Sequence, residues 1–338
     1  MDLPLSAVGF PCRLPVVRSI SGGDYVSFHG GFATFPQASF QADPAGVINS
    51  EYLTQGYVTQ AGPVLHGFSQ TGPPFYDRAA KRWVPVGAAQ ASPNGAFYAY
   101  AELNPTHPGA PYVIHIVGVA NGSDRVFTVP YTPDFGSAIG PFITDFDGAS
   151  VYFSSSQTMG PPQGVWRLDI ATGSVSELSK AFGVAMTRGG YAWLDRIDPR
   201  DPEGPATGRS GPRSNSVVRV NLSTGQETVW YFASGQQVSW QGFDRDGNPI
   251  VSVAPGPDFT HIALRLLSYP GDPGTVIYDG TGGLSFSNTQ ADTGGRLWFG
   301  NDRGIYLYTP TTGLRKVFAV DHGNTTLAES IQPAGLCL

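Results

Sequence analysis

The sequence predicts an all-β fold, a six-bladed β-propeller with four antiparallel strands per blade, and three observations predict it. Its 338 residues include 44 Gly and 29 Pro with only 14% charged residues, a composition rich in turns and poor in the stripes that build surface helices. A turn ending in Gly, followed by an alternating aromatic or β-branched strand, recurs six times along the chain. The cysteines, Cys12 and Cys337, stand at opposite ends.

The recurring unit reads SISGGDYVSF (19–28), ASPNGAFYAY (91–100), TDFDGASVYF (144–153), MTRGGYAWL (186–194), FDRDGNPIVSV (243–253) and ADTGGRLWFG (291–300). In five of the six a second strand pair follows across a tight turn, as in VWRLDIATGSVSELS and VVRVNLSTGQETVWYF; the first repeat has FYDRAAKRWVPV instead. Each copy therefore reads as strands A to D with Gly in the left-handed conformation at both hairpins. Gly122, Gly173, Gly225, Gly274 and Gly313 recur at roughly 40 to 50 residues, the period of a propeller blade and not of a sandwich. The blades fall at 12–87, 88–130, 131–180, 181–233, 234–279 and 280–320, with the tail 321–338 returning to the first. A seven-bladed ring is the alternative, because 12–87 is long enough to hold one more.

Two cysteines are too few for a metal cage, and neither lies in a CxxC spacing. In a ring the chain ends must meet, so a Cys12–Cys337 disulfide would close a loop of more than 300 residues. In the chain-entropy view this is worth on the order of 5 kcal/mol. A disulfide implies an oxidising compartment, so a secreted, periplasmic or cell-surface location is expected, with no export signal within this sequence. The competing reading is a pair of unbridged buried thiols.

The net charge is −6, and Lys occurs only at Lys81, Lys180 and Lys316. Without clustered cations the chain has no surface for tracking phosphates and no membrane-surface patch, so nucleic acid is excluded as a partner. No apolar stretch is long enough for a spanning helix. A monomer is expected.

SPNGAFYAY resembles the SPDG-type turn of TolB-like propellers, and ADTGGRLWFGNDRGIYLYTP is similar to the repeats of two-component-regulator and SMP-30-like propellers. The resemblance covers one hairpin per blade. It implies the fold, in groups that include periplasmic scaffolds, sensor domains, lactonases and lyases.

In such a fold the A-B and C-D turns lie on one face, and the B-C loops and blade-to-blade links on the other. The first set is tight here. The second is elongated at 37–75, 103–111, 154–164, 195–214 and 254–260, and short only in blade 6, at Asn301–Gly304. Long loops on a rigid ring are where binding and catalytic groups sit. His29, Glu102, Asp195, Arg196, Asn301 and Asp302 are expected at the ends of B strands, with His322, Asn324 and Glu329 on the links. An imidazole near carboxylates is what general acid-base chemistry requires. A histidine at a strand end is more often simply hydrogen-bonded, and no GxSxG elbow, HExxH helix or Walker loop is present.

Asp145 and Asp147, and Asp244 and Asp246, have the spacing that opens a Ca²⁺ loop, but Gly follows too early and no Glu completes the set, so hairpin turns account for them. Trp166, Trp193, Trp230, Trp240 and Trp298 fall within strands and are expected to pack between blades. Phe75, Tyr131 and Phe259 are the loop aromatics available to stack on a sugar. Asn121, Asn221 and Asn324 begin glycosylation sequons.

The first functional expectation is a binding propeller that presents its loop-rich face to a protein or glycan. The second is a hydrolase or lyase using His29 or His322 with Glu102, Asp195 or Asp302, Arg196 nearby, and optionally a divalent cation, Ca²⁺ or Mg²⁺; no other cofactor is evident. A sensor or assembly domain of a larger chain is the third.

Overall fold

The computed structural model describes residues 3–22, 25–50, 57–59, 73–101, 112–129, 138–157, 163–202, 213–255, 261–281, 287–320 and 328–338. Among these residues regular structure is all β, apart from one 3-10 turn, Ala88–Gln90. The five repeat glycines have φ between +66° and +80°, a region closed to most side chains, which is why each tight turn carries one.

The chain opens with β1 (Cys12–Gly22), β2 (Tyr25–Phe35), β3 (Ser39–Ser50) and β4 (Tyr57–Thr59), which pair antiparallel in order. A separate hairpin follows, β5 (Phe75–Asp77) and β6 (Arg82–Val84). Next come β7 (Phe97–Ala101), β8 (Tyr112–Gly118) and β9 (Asp124–Val129), a three-stranded sheet that Ala91 extends by a single bridge to Tyr98.

Three consecutive four-stranded meanders then occupy the middle of the chain. The first is β10 (Ala138–Phe146), β11 (Ser150–Gln157), β12 (Gln163–Asp169) and β13 (Val175–Phe182). The second is β14 (Val184–Arg188), β15 (Tyr191–Arg196), β16 (Ser216–Asn221) and β17 (Glu227–Phe232), and the third β18 (Gln236–Phe243), β19 (Pro249–Pro255), β20 (His261–Leu266) and β21 (Thr275–Thr281). Finally β22 (Ser287–Ala291), β23 (Leu297–Asn301), β24 (Gly304–Thr309) and β25 (Gly313–Ala319) pair in order, and β26 (Ala328–Pro333) returns to the start of the chain.

That return ties the ends together. β26 pairs with β1 from Val16↔Pro333 to Ser21↔Ala328, and a bridge from Asn301 to Ile331 links it to β23. Just beyond, Cys12 and Cys337 form a disulfide with their Cα atoms 5.5 Å apart. At the other edge of this sheet the N-terminal segment lies beside β25, where the Ser6 N–H donates to the Lys316 carbonyl at 2.8 Å.

The stretch 37–75, expected to be a loop, instead contains β3 and β4. β3 reads SFQADPAGVINS, with a Pro and a Gly that break strand alternation, and tertiary packing supplies the reason. A Cβ on Gly30 or Gly46 would lie within 2.9 Å of the Trp83 ring, so both strands use glycine to let the indole lie across them. The Trp83 Nε1–H then donates to Asp43 at 3.0 Å.

Six apolar clusters fill the spaces between successive sheets. Trp298, wholly buried beside Phe35, Leu14, Ile305 and Ile331, anchors the one between the β22–β25 strands and the chain's first strands. Its indole N–H reaches the buried Asp292 carboxylate at 3.0 Å, and the other apolar contacts leave no polar atom of the ring unpaired. Trp193 and Trp230 pack edge to face with centroids 5.0 Å apart, and Phe153 stacks on Trp166 at 5.9 Å. Burial of side chains this size, at ~1.5–3 kcal/mol each, is the main stabilising contribution.

Candidate functional site

Among the described residues, the sequence-selected side chains fall on β2, β15, β26 and the β23–β24 turn. His29 sits in the middle of β2, not at a strand end as expected, opposite Arg18 of β1. Its Nε2 is 3.1 Å from the Ser27 hydroxyl. Burial and then the Arg18 charge hold the imidazole below its ordinary range, with Glu329 opposing. Arg18 forms an ion pair with the buried Glu329 of β26, so this cluster buttresses the pairing of the last strand with the first.

Asp195 and Arg196 are adjacent on β15 and so face opposite ways. Asp195 accepts the Trp240 N–H at 2.8 Å, and burial pushes its carboxyl up to about 7. Arg196 pairs with Glu227 at 2.7 Å and lies over the Phe182 ring. Asn301 shapes the β23–β24 turn by accepting the N–H groups of Arg303 and Gly304, and Asp302 is exposed in that turn. Phe75, expected in a loop, belongs to β5. Glu102, His322, Asn324, Tyr131 and Phe259 lie outside the described residues.

Two places remain where the fold builds a surface for something else. The first is the base of the 195–214 connection between β15 and β16. Buried Asn215 accepts the Asp198 N–H at 2.6 Å and donates to the Asp201 carbonyl at 2.9 Å. Asp201 accepts the Ser234 hydroxyl and the Gly235 N–H, and Ser214 donates to the Val238 carbonyl. Arg200 grips buried Asp198 through two bonds of 2.8 Å, with its guanidinium 4.1 Å from the Phe232 ring. That fork holds the Asp198 carboxyl below the usual carboxylate range. Beside this base lies a groove of about 480 Å³, floored by Ser216 and Val218 and edged by Arg196, Arg200, Glu227 and the exposed Val229.

The second is a central cavity of about 620 Å³ on which β10, β14, β18, β22 and the 88–90 turn converge. Phe142, Met186, Trp240 and Phe243 give it apolar walls, while Thr144, Thr187, Gln241 and Gln290 give it polar ones. Asp145, Arg188, Asp244 and Arg245 stand where these strands enter their tight turns. Here the turn reading of the acidic pairs holds only in part. Asp147 accepts N–H groups of its own turn and Asp244 does likewise, but Asp145 lies one residue inside β10 and lines the cavity. Trp240 also lines it in addition to packing. In the sequence the signal of this arrangement is unlike charge at the turn entry of successive repeats, TDFDG, MTRGG and FDRDG. With Asp147 and Asp244 spent on backbone donors, these carboxylates do not assemble as cation ligands, and no cluster of three metal-ligating side chains occurs among the described residues.

No family model matches the chain, and no curated protein matches it. Solved structures similar to it include TolB from Acinetobacter baumannii, at 12% identity over 96% of this chain and 65% of that chain, with a TM-score of 0.47. An oligogalacturonate lyase in complex with manganese gives 11% identity over 92% of this chain and 86% of that one, with a TM-score of 0.48. The β-propeller domain of the trilobed protease from Pyrococcus furiosus gives 11% identity over 91% and 86%, with a TM-score of 0.44. The chain thus spans just under two thirds of the TolB chain.

Proposed function

We propose that this chain is an exported, six-bladed β-propeller that binds a protein or glycan through its loop-rich face. Six units support the blade count: five of four strands, namely the β10–β13, β14–β17, β18–β21 and β22–β25 sets and β26 with β1–β3, and the three-stranded β7–β9, which Ala91 extends by a single bridge. The disulfide supports export.

The observation that carries the binding reading is the buttressed base of the 195–214 connection. Groups from 198–201, 214–216 and 234–238 are cross-linked there: buried Asn215 holds Asp198 and Asp201, Asp201 holds Ser234 and Gly235, and Ser214 holds Val238. Recognition gains from loops rooted on a rigid platform, because less ordering entropy is lost on binding. The neighbouring groove offers a floor of Ser216 and Val218 beside exposed Val229, with an Arg and Glu rim, the composition of an interface and not of a reaction centre.

Val229 edges the groove without joining the hydrogen-bond network, so Val229→Glu tests the surface while sparing its support. Glycan arrays and pull-downs from an exported-protein fraction should find a ligand for the wild type, and the variant should bind it at least about tenfold more weakly. Wild-type protein that binds nothing in either assay yet turns over a small substrate would refute the reading.

A further inference from the structure

Charged groups gather at the mouth of the central cavity from several elements, and most are already committed. Asp147 accepts the N–H groups of Ala149 and Ser150 and the Tyr152 hydroxyl. Asp244 accepts both the backbone and side-chain N–H of Asn248, and Arg245 donates to the Thr293 carbonyl. Two groups are left over. One Asp145 oxygen accepts the Phe146 N–H at 2.9 Å, while the other has no partner among the described residues. The Arg188 guanidinium has only the Phe243 ring, 5.0 Å away, as partner among the described residues.

These two residues occupy neighbouring strands, β10 and β14. Each follows a threonine, and the Thr144 and Thr187 hydroxyls share a buried hydrogen bond of 2.8 Å. The strands are therefore clipped together immediately beside the two charges. Arg188 is near enough to draw on the Asp145 carboxyl electrostatically, yet no ion pair joins them. Opposite charges at the rim of a pocket with no ion pair between them, half-buried Asp145 and exposed Arg188, are complementary to a molecule that carries both signs, since each then gains a charge-assisted hydrogen bond. Met186, Trp240 and Phe243 offer the body of such a molecule an apolar wall.

We propose that the mouth of the central cavity binds a small zwitterion, an α-amino acid with a bulky apolar side chain, with its ammonium on Asp145 and its carboxylate on Arg188. This site stands at the tight-turn ends of the first strands and is separate from the groove at Val229, so the two readings fail independently. Asp145 must be ionised to hold an ammonium. Its carboxyl is pushed up to about 6, chiefly by burial, with the Phe146 hydrogen bond and Arg188 working against that and Asp147 adding to it. Binding should accordingly weaken as the pH falls through about 6.

Titration calorimetry with three probes tests the proposal: L-phenylalanine, N-acetyl-L-phenylalanine, which lacks the ammonium, and L-phenylalaninamide, which lacks the carboxylate. Wild-type protein at neutral pH should bind phenylalanine and bind each capped form at least roughly tenfold more weakly. Asp145→Asn should bind phenylalanine and its N-acetyl form alike, and Arg188→Gln should no longer discriminate against the amide. No binding of phenylalanine to the wild type, equal binding of all three probes, or discrimination that survives in both variants would overturn the proposal. The wild-type comparison stands whether or not either variant folds.

Discussion

Replacing Cys12 with Ser leaves β26 paired with β1 but reopens the loop that the disulfide closes across a sequence separation of 325 residues. In the chain-entropy model the cross-link removes 2.1 + 1.5R ln n from the entropy of the unfolded chain, about 19 cal/mol/K for a loop of this length, or about 6 kcal/mol at 25 °C. Unfolding entropy of ~2.1 cal/mol/K per residue, taken over the whole chain, comes to ~0.7 kcal/mol/K, so the melting temperature should fall by about 8 °C. Calorimetry of oxidised wild type, reduced wild type and Cys12→Ser makes the comparison. The last two should melt together, below the first. Because the six-residue β26–β1 ladder and the Arg18–Glu329 pair persist, circular dichroism at 25 °C should not distinguish the three. Melting temperatures within about 1 °C of one another would refute the closure argument, since the entropy of so long a loop has no other route of expression.

Asp195 sets a pH dependence of unusual sign. Its folded-state pKa of about 7 lies above the ordinary aspartate value of 3.8, so the folded protein binds the proton more tightly than the unfolded chain does. Stability is then unaffected by this group at pH values below 3.8, declines as the pH rises through the interval, and is fully reduced above about 7, by at most about 4 kcal/mol given that the carboxyl is partly exposed. Asp195→Asn keeps an acceptor for the Trp240 N–H and should exceed wild type in urea resistance at pH 8, the gap closing towards pH 4; parallel stability curves would count against it. Asp292→Ala should cost about 2–4 kcal/mol, because it strands Arg296 and the buried Trp298 indole N–H together, and the midpoint of urea denaturation measures this. An unchanged midpoint would mean water replaces the carboxylate.

The features legible in the sequence were those whose cause is local. A glycine with positive φ is demanded by the backbone of one turn, and Gly122, Gly173, Gly225, Gly274 and Gly313 all proved to be such residues. Strands flanking those turns followed, as did the disulfide, since its two cysteines had no other partner in the chain. What escaped detection depends on distant residues. β3 contains Pro44 and Gly46, which oppose strand formation locally, and it exists because the Trp83 indole lies on Gly46 and donates to Asp43. The cavity charges escaped for a related reason: Asp145 and Asp147 look equivalent in sequence, and only their placement relative to the turn separates a turn-forming carboxylate from one that lines the cavity. His29 reads in the sequence as a titratable group, but Arg18 and Glu329, brought beside it by the pairing of β1 with β26, make it part of a buttress.

That pairing also fixes an order of events during synthesis. β1 is made well before its partner β26, which begins at Ala328, so roughly 300 further residues must be added before the edge of β1 can be covered. At ~5–20 residues per second this interval lasts about 15–60 s, in which an apolar strand carrying Leu14, Val16 and Val17 has a bare hydrogen-bonding edge. A nascent chain arranged in this way cannot complete the sheet that holds β1 until β26 has been made; it depends on whatever shields that edge in the interval.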